Sequence, residues 1–210
     1  SLKVLGRQCG YIFYVPAAYT SKIDPTTGFV AIFNYKGMTD KDFVTSFDSI
    51  KYDDERGLFA FEFDYENFVT HKVEMARNKW TVYTYGERIK RKFKNGLWDT
   101  AEKVDLTYQM RSILEKYEIE YNKGQDILEQ IEKLDEKAQN GICKEIKYLV
   151  KDIVQMRNSL PDNAAEDYDA IISPVINNNG EFFDSTRGDE DKPLDADANG
   201  AYCIALKGLY

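Results

Sequence analysis

Ile171-Ile-Ser-Pro-Val-Ile176 and Glu181-Phe-Phe-Asp184 flank Asn177-Asn-Asn-Gly180. Two apolar runs around an Asn-Gly pair predict an antiparallel hairpin closed by a type I′ turn. Upstream, Lys51 to Tyr65 reads as a second hairpin, with Asp53-Asp-Glu-Arg-Gly57 as its turn. Its alternation sends Phe59, Phe61 and Phe63 to the core and Leu58, Ala60 and Glu62 the other way. Apolar runs at Tyr11–Val15, Phe29–Phe33 and Trp80–Tyr85 predict short strands, and Arg88–Phe93 continues the last of these beyond Gly86 with Ile89 and Phe93 as anchors. Asp24-Pro-Thr-Thr-Gly28 is a turn. Thr39 or Asp40 caps a helix running to about Ile50. Helical spacing recurs over Val104–Tyr117, Asp126–Leu134 and Asn140–Asn158. In the last, Ile142, Ile146, Leu149, Val150, Ile153 and Val154 form one buried stripe. Helices and antiparallel hairpins are intermixed with no repeating βαβ unit, so the class is α+β.

The 210 residues are 43% hydrophobic and 14% aromatic, enough for the core of one domain, or one domain with a small appendage. No apolar run approaches transmembrane length, so no membrane partner is expected. Ser1-Leu-Lys-Val-Leu-Gly-Arg7 is not a signal peptide, and the chain stops at Leu209-Tyr210 inside a helical pattern, as an excised piece of a longer protein would. The three cysteines, Cys9, Cys143 and Cys203, are far apart, which suits reduced cytoplasmic thiols and excludes a CxxC zinc site. The single histidine, His71, reads as a surface or hairpin residue. Its isolation argues against histidine triads, zincins and ββα-metal nucleases, which need histidine in a defined constellation.

The net charge of −8 divides unevenly. Between Leu160 and Asn199 eleven acids face two bases, leaving +1 for the rest of the chain. In that remainder, Arg88-Ile-Lys-Arg-Lys-Phe-Lys94 packs five cations into seven residues. Arg88, Lys90, Arg91 and Lys92 read either as a solvated strand face or as a strip tracking a nucleic-acid backbone, with Tyr83, Tyr85 and Phe93 for stacking. Lys22, among Ser21, Thr26 and Thr27, is a further phosphate candidate that a turn also explains. Arg157, in Gln155-Met-Arg-Asn-Ser159 at the end of the longest helix, is favoured there by the helix dipole, or grips a phosphate bidentately. The carboxylates Glu166, Asp167, Asp169 and Asp197 follow it.

Asp195-Ala-Asp-Ala-Asn-Gly-Ala-Tyr202 runs into a helix. Its small residues permit close approach of another backbone or of a ligand with its metal. Asp195 or Asp197 caps that helix, or one of them ligates a hard cation. At i, i+2 they share neither a strand face nor a helix face, so they do not hold one metal as a pair.

The stretches Tyr14-Val-Pro-Ala17, Thr20-Ser-Lys-Ile-Asp-Pro-Thr-Thr-Gly-Phe29, Gln155-Met-Arg-Asn-Ser159, Ser173-Pro-Val175, Phe183-Asp-Ser185 and Asp195–Tyr202 resemble the C-terminal part of type V-A CRISPR effectors (Cas-twelve-a, also called Cpf-one). The resemblance covers essentially the whole chain, in matching order. It implies an RNA-guided DNA endonuclease of the prokaryotic cytoplasm. Residues 1–18 and 196–210 would belong to a RuvC-like (RNase H-like) domain, and 19–195 to the Nuc domain inserted in it. Asp197 matches the third acidic residue of the RuvC-like Mg²⁺ site, where Mn²⁺ can substitute. Arg157 matches the Nuc arginine that assists cleavage, particularly of the target strand. Counting back from Pro174 makes Asp169 the Nuc aspartate, with Asp167 as the competing register.

The implied partners are single-stranded target and non-target DNA, and guide RNA only through parts of the family absent from this sequence. Self-association through exposed RuvC-like segments is a further expectation. The other two RuvC-like acids lie upstream in the family, so these residues alone are expected to cut DNA poorly or not at all. The leading reading is a module that positions single-stranded DNA. The alternatives are an independent nuclease built on Arg157 with Glu166, Asp167 or Asp169, and a structural brace.

Overall fold

The computed structural model describes residues 19–31, 33, 37–68, 78–90, 93–94, 97–98, 102–122, 124–160, 168–188 and 191–209. The strand expected at Tyr11–Val15, the segment 1–18, Cys9, His71, Arg91, Lys92, Glu166 and Asp167 lie outside them.

The hairpin at Lys51–Tyr65 forms as strands β1 (Ser49–Asp53) and β2 (Leu58–Asp64), and β3 (Lys79–Tyr83) completes a three-stranded antiparallel sheet. Phe61 pairs with Ile50 on one side and Val82 on the other. Phe59, Phe61 and Phe63 are fully buried while Glu62 is exposed, the two-residue alternation expected of a sheet with one wet face. Helix α1 (Asp40–Thr45) is capped by Thr39, whose side chain accepts from Asp42 N at 3.0 Å. It ends five residues before the expected Ile50, because Ser49 and Ile50 are needed by β1. Phe33, Phe43, Phe47, Phe63 and Phe68 meet beneath the sheet with ring centroids 4.8–5.8 Å apart, mostly tilted or edge-on. Phe29, Ala31 and Phe33 are buried as expected. They form no strand among the described residues, only a single bridge between Ile23 and Val30.

Strand β4 (Glu87–Lys90) follows Gly86, whose φ of 78° is open to glycine, and a short ladder of β5 (Phe93–Lys94) and β6 (Leu97–Trp98) comes next. Strand β7 (Glu102–Asp105) pairs with β4 and leads into α2 (Leu106–Lys116). The helix starts two residues later than the spacing suggests, because Asp105 serves as its cap. Short α3 (Ile127–Ile131) and long α4 (Glu136–Ile153) are capped by Asp126 and Asp135. The apolar stripe of α4 packs on α1 and α2, with Ile142, Ile146, Val150 and Ile153 fully buried. Helix α4 begins four residues before Asn140 and stops at Ile153, so Arg157 and Asn158 belong to a strand, not to its last turn.

That strand is β8 (Arg157–Ser159), which joins β9 (Asp169–Ile176) and β10 (Phe182–Asp184) in a second antiparallel sheet. The β9–β10 hairpin forms, but not on a type I′ turn. Asn179 does not take the positive φ that such a turn requires. Instead Gly180 N bonds Asn177 O at 3.0 Å, Gly180 alone is left-handed at φ 82°, and the Asn177 carboxamide caps the loop. The last described element is α5 (Ala196–Leu209).

Tyr65 is buried beside this core and donates to Val30 O at 3.1 Å. Burial pushes its phenol up to about 12. The unfolded phenol ionises near pH 10 while the folded one keeps its proton, so the stability this provides is complete below pH 10 and lost as pH rises towards 12. Stability to urea is expected to fall between about pH 10 and pH 12 in the parent and less so in Tyr65→Phe; equal slopes would show that Tyr65 is not the titrating group.

Candidate nucleic-acid interface

Helix α5 begins on Asp195, whose side chain accepts from Ala198 N at 2.7 Å and whose carbonyl accepts from Asn199 N at 3.0 Å. Asp195 is therefore the cap, and Asp197 stands in the first turn with 86% of its side chain exposed. The small residues serve close packing. Ala196 is buried, and α5 lies against the 3₁₀ turn Thr20–Lys22. Asn199 is fully buried and donates to Ile23 O at 3.0 Å. Next to Ile23, the fully buried Asp24 takes Thr26 N and Thr27 N on one oxygen, and Ser173 of β9 donates its hydroxyl to the other. This two-step clamp ties α5 to β9.

On β8, Arg157 stands two positions along from Ser159, which pairs with Asp169 at the start of β9. Asn158 between them is buried, accepts from Ile89 N at 3.1 Å and fixes β8 against β4. Arg157 then reaches across. Its Nε and Nη2 each donate to Asp169 at 3.0 Å, a bidentate pair, while Nη1 meets Asp197 Oδ1 at 3.5 Å. The first contact has the fork geometry that makes arginine–carboxylate pairs specific; the second is at the limit of a hydrogen bond and reaches an exposed carboxylate. The Nη1 edge is thus the side of the guanidinium on which another anion can compete. Arg157, Asp169 and Asp197 are brought together, and Asp169 is the aspartate that takes the arginine.

The other basic residues part company. Arg88 is 1% exposed and cannot reach a nucleic-acid backbone. Its guanidinium donates to five carbonyls, those of Tyr85, Glu87, Asp152, Ile153 and Ile172, at 2.9–3.4 Å. Burial pushes it down to about 10, so it stays charged at neutral pH and braces the end of α4 against β4 and β9. Tyr83 is buried edge-on to Phe182, and Tyr85 stacks on the same ring at 3.9 Å, so both are committed internally rather than to bases. Lys90 is half-buried, bound to Asp152 at 2.5 Å and to Gln109 at 3.1 Å. Lys22 is exposed on the turn under α5. Thr26, expected as a possible phosphate contact, donates its hydroxyl to Asp24 at 2.7 Å.

An open groove of about 880 Å³ runs from Arg157 and Ser159 past Gln155 and Lys90 to the outer face of α4, where Tyr148 and Lys151 line it. Sequence reading names Gln155 only as part of the Gln155–Ser159 motif and does not single out Tyr148 or Lys151. The i, i+3 spacing of these two opposite the apolar stripe was the available signal, and it reads equally as ordinary solvated surface.

A family model described as a nuclease domain matches residues 23–187, well over half of the chain. The chain belongs to this nuclease-domain family. The matched span of the nuclease domain includes Arg157 and Asp169 and ends before Asp197.

Among the described residues, no group of three or more His, Cys, Asp or Glu converges as a metal site. Asp169 and Asp197 meet only across a guanidinium, which occupies the place between them with its own positive charge. These residues by themselves therefore do not fit the Mg²⁺ that the sequence resemblance implies. No helix among them is long and apolar enough to cross a membrane.

Proposed function

We propose that this nuclease domain is the Nuc portion, with flanking RuvC-like segments, of an RNA-guided DNA endonuclease of the type V-A CRISPR kind. In this reading it holds single-stranded DNA for cleavage at a RuvC-like, Mg²⁺-dependent centre. Residues 19–195 form the Nuc insertion, and residues 1–18 and 196–210 belong to the RuvC-like domain. The observation that carries the reading is the two-sided arrangement of Arg157. Asp169 fixes one edge of the guanidinium, and the Nη1 edge holds only a loose, exposed carboxylate. A phosphodiester oxygen is a suitable acceptor there, and a guanidinium orients it in a way an ammonium does not. Asp169 turns both oxygens to Arg157, which suits a residue that positions the arginine. Of the two carboxylates, Asp197 is the one able to turn towards a cation completed by groups elsewhere.

The test is incubation of the chain with labelled single-stranded DNA, with Mg²⁺ and with Mn²⁺, beside Arg157→Ala and Asp169→Ala. The expected result is intact DNA in every lane, with binding that falls steeply with salt and is weakened by Arg157→Ala. Cleavage by the parent that both variants lose would overturn it in favour of an independent nuclease. Absence of binding would leave a structural brace.

A further inference from the structure

The groove beside Arg157 carries a chemistry that the Arg157–Asp169–Asp197 cluster does not use. Lys90, Lys151 and Arg157 line it with one carboxylate, Asp152, which is bound to Lys90, so Lys151 and the Nη1 edge of Arg157 are the cations the groove presents. Tyr148 stands 55% exposed on its wall, one of few large apolar side chains left at the described surface. The Lys151 ammonium lies 4.7 Å from the centroid of that ring. An exposed aromatic ring with a cation over it from the next helical turn, leading to an arginine, offers a base and its flanking phosphates of an unpaired strand a place to bind. A duplex offers only its phosphates to such a surface, because its base faces are stacked inside.

We propose that this groove is a binding subsite for single-stranded DNA, in which one unpaired base stacks on Tyr148 and the flanking phosphates meet Lys151 and Arg157. The proposal rests on the reading that the domain holds single-stranded DNA at Arg157, and adds to it the place where a base is gripped. Gln155, between Lys151 and Arg157 on the groove wall, is a hydrogen-bonding group within the same path.

Fluorescence anisotropy with a labelled oligothymidine and an all-abasic strand of equal length tests this. The proteins are the full 210-residue chain and its Tyr148→Ala, Tyr148→Phe, Lys151→Ala and Arg157→Ala variants. Tyr148→Ala is expected to weaken oligothymidine binding about tenfold. Tyr148→Phe should stay within about twofold of the parent, since the ring and not the hydroxyl provides the stack. The abasic strand should bind the parent about tenfold more weakly than oligothymidine, and be indifferent to Tyr148→Ala. Lys151→Ala should weaken both strands and flatten the salt dependence. Tyr148 is exposed, so melting temperatures should match and exclude misfolding.

Equal binding of the two strands by the parent, or no effect of Tyr148→Ala on oligothymidine, overturns the stacking subsite while an Arg157→Ala effect leaves the broader reading standing. A duplex that competes as well as the single strand overturns the subsite too. A parent that binds neither strand overturns both.

Discussion

Arg88→Met is expected to lower the free energy of unfolding by about 3 kcal/mol or more. Each buried polar group left without a partner costs about 1–3 kcal/mol, and here five carbonyls share one guanidinium, of which that of Asp152 keeps backbone donors of its own. Relief of a desolvated charge works in the opposite direction, but methionine fills only the apolar stem of the arginine and offers no donor. Arg88→Lys should fall between, because one ammonium cannot spread its donors over carbonyls from the end of α4, β4 and β9 together. Urea unfolding followed by circular dichroism reads this directly. A loss under about 1 kcal/mol would show that the carbonyls find other donors, and that Arg88 is not the brace inferred from its bonding. Because Asp152 and Ile153 immediately precede the path to Arg157, a folded Arg88 variant should also bind single-stranded DNA more weakly than the parent.

Arg157→Ala is the substitution with the largest expected functional effect. Its guanidinium is the positive group between Asp169 and Asp197. Without it a phosphodiester meets two carboxylates, and a pair of unit charges 4 Å apart near a protein surface repels by about 4 kcal/mol before screening. Exposure of Asp197 reduces that figure, so a loss of about 100-fold in the rate of target-strand cleavage is expected in the complete endonuclease proposed above. Stability should change by less than about 0.5 kcal/mol, because the ion pair lies at the surface. Asp169→Asn separates positioning from charge. It should leave the fold intact, strengthen binding of single-stranded DNA severalfold by releasing the guanidinium, and still slow cleavage, since nothing then fixes the Nη1 edge. Single-turnover rates beside binding curves distinguish the two effects. Weaker binding in Asp169→Asn would mean that the pairing orders Arg157 for phosphate rather than restraining it.

What could be read in the sequence was local and periodic. Alternation over Leu58–Phe63 placed three phenylalanines inside and Glu62 outside, and the structure agrees, because strand geometry alone decides which face a residue takes. Thr39 and Asp126 were readable as helix starts for a similar reason: a side-chain oxygen satisfies an amide two or three residues away. The helix ends that failed did so where a strand competed for the same residues, and the helix starts that failed moved to a capping aspartate. The pattern of α4 continues through Val154 to Asn158, but β9 claims Arg157 and Asn158 as its edge, and strand pairing overrides a few tenths of a kcal/mol of helical preference.

The site divides in the same way. Motif resemblance singled out Arg157, Asp169 and Asp197, yet only the fold brings together residues twelve and forty positions apart, by a β8–β9 pairing and by the Asn199–Ile23 and Asp24–Ser173 clamp beneath α5. Arg88 shows the converse. A run of five cations in seven residues reads as a surface strip, because charge density along the chain carries no record of what closes over it. The end of α4 and β9 close over its first member and turn a phosphate candidate into an internal brace. Tyr148 and Lys151 were passed over because the outer face of any amphipathic helix is polar, and only the groove reaching Arg157 sets this face apart. The sequence by itself determined the class of the fold, the buried faces of its longer elements and membership of a nuclease-domain family. Tertiary structure decided which charges are buried, which carboxylate takes the arginine, and where an open groove lies beside it, because each of these depends on contacts between residues that no local pattern relates.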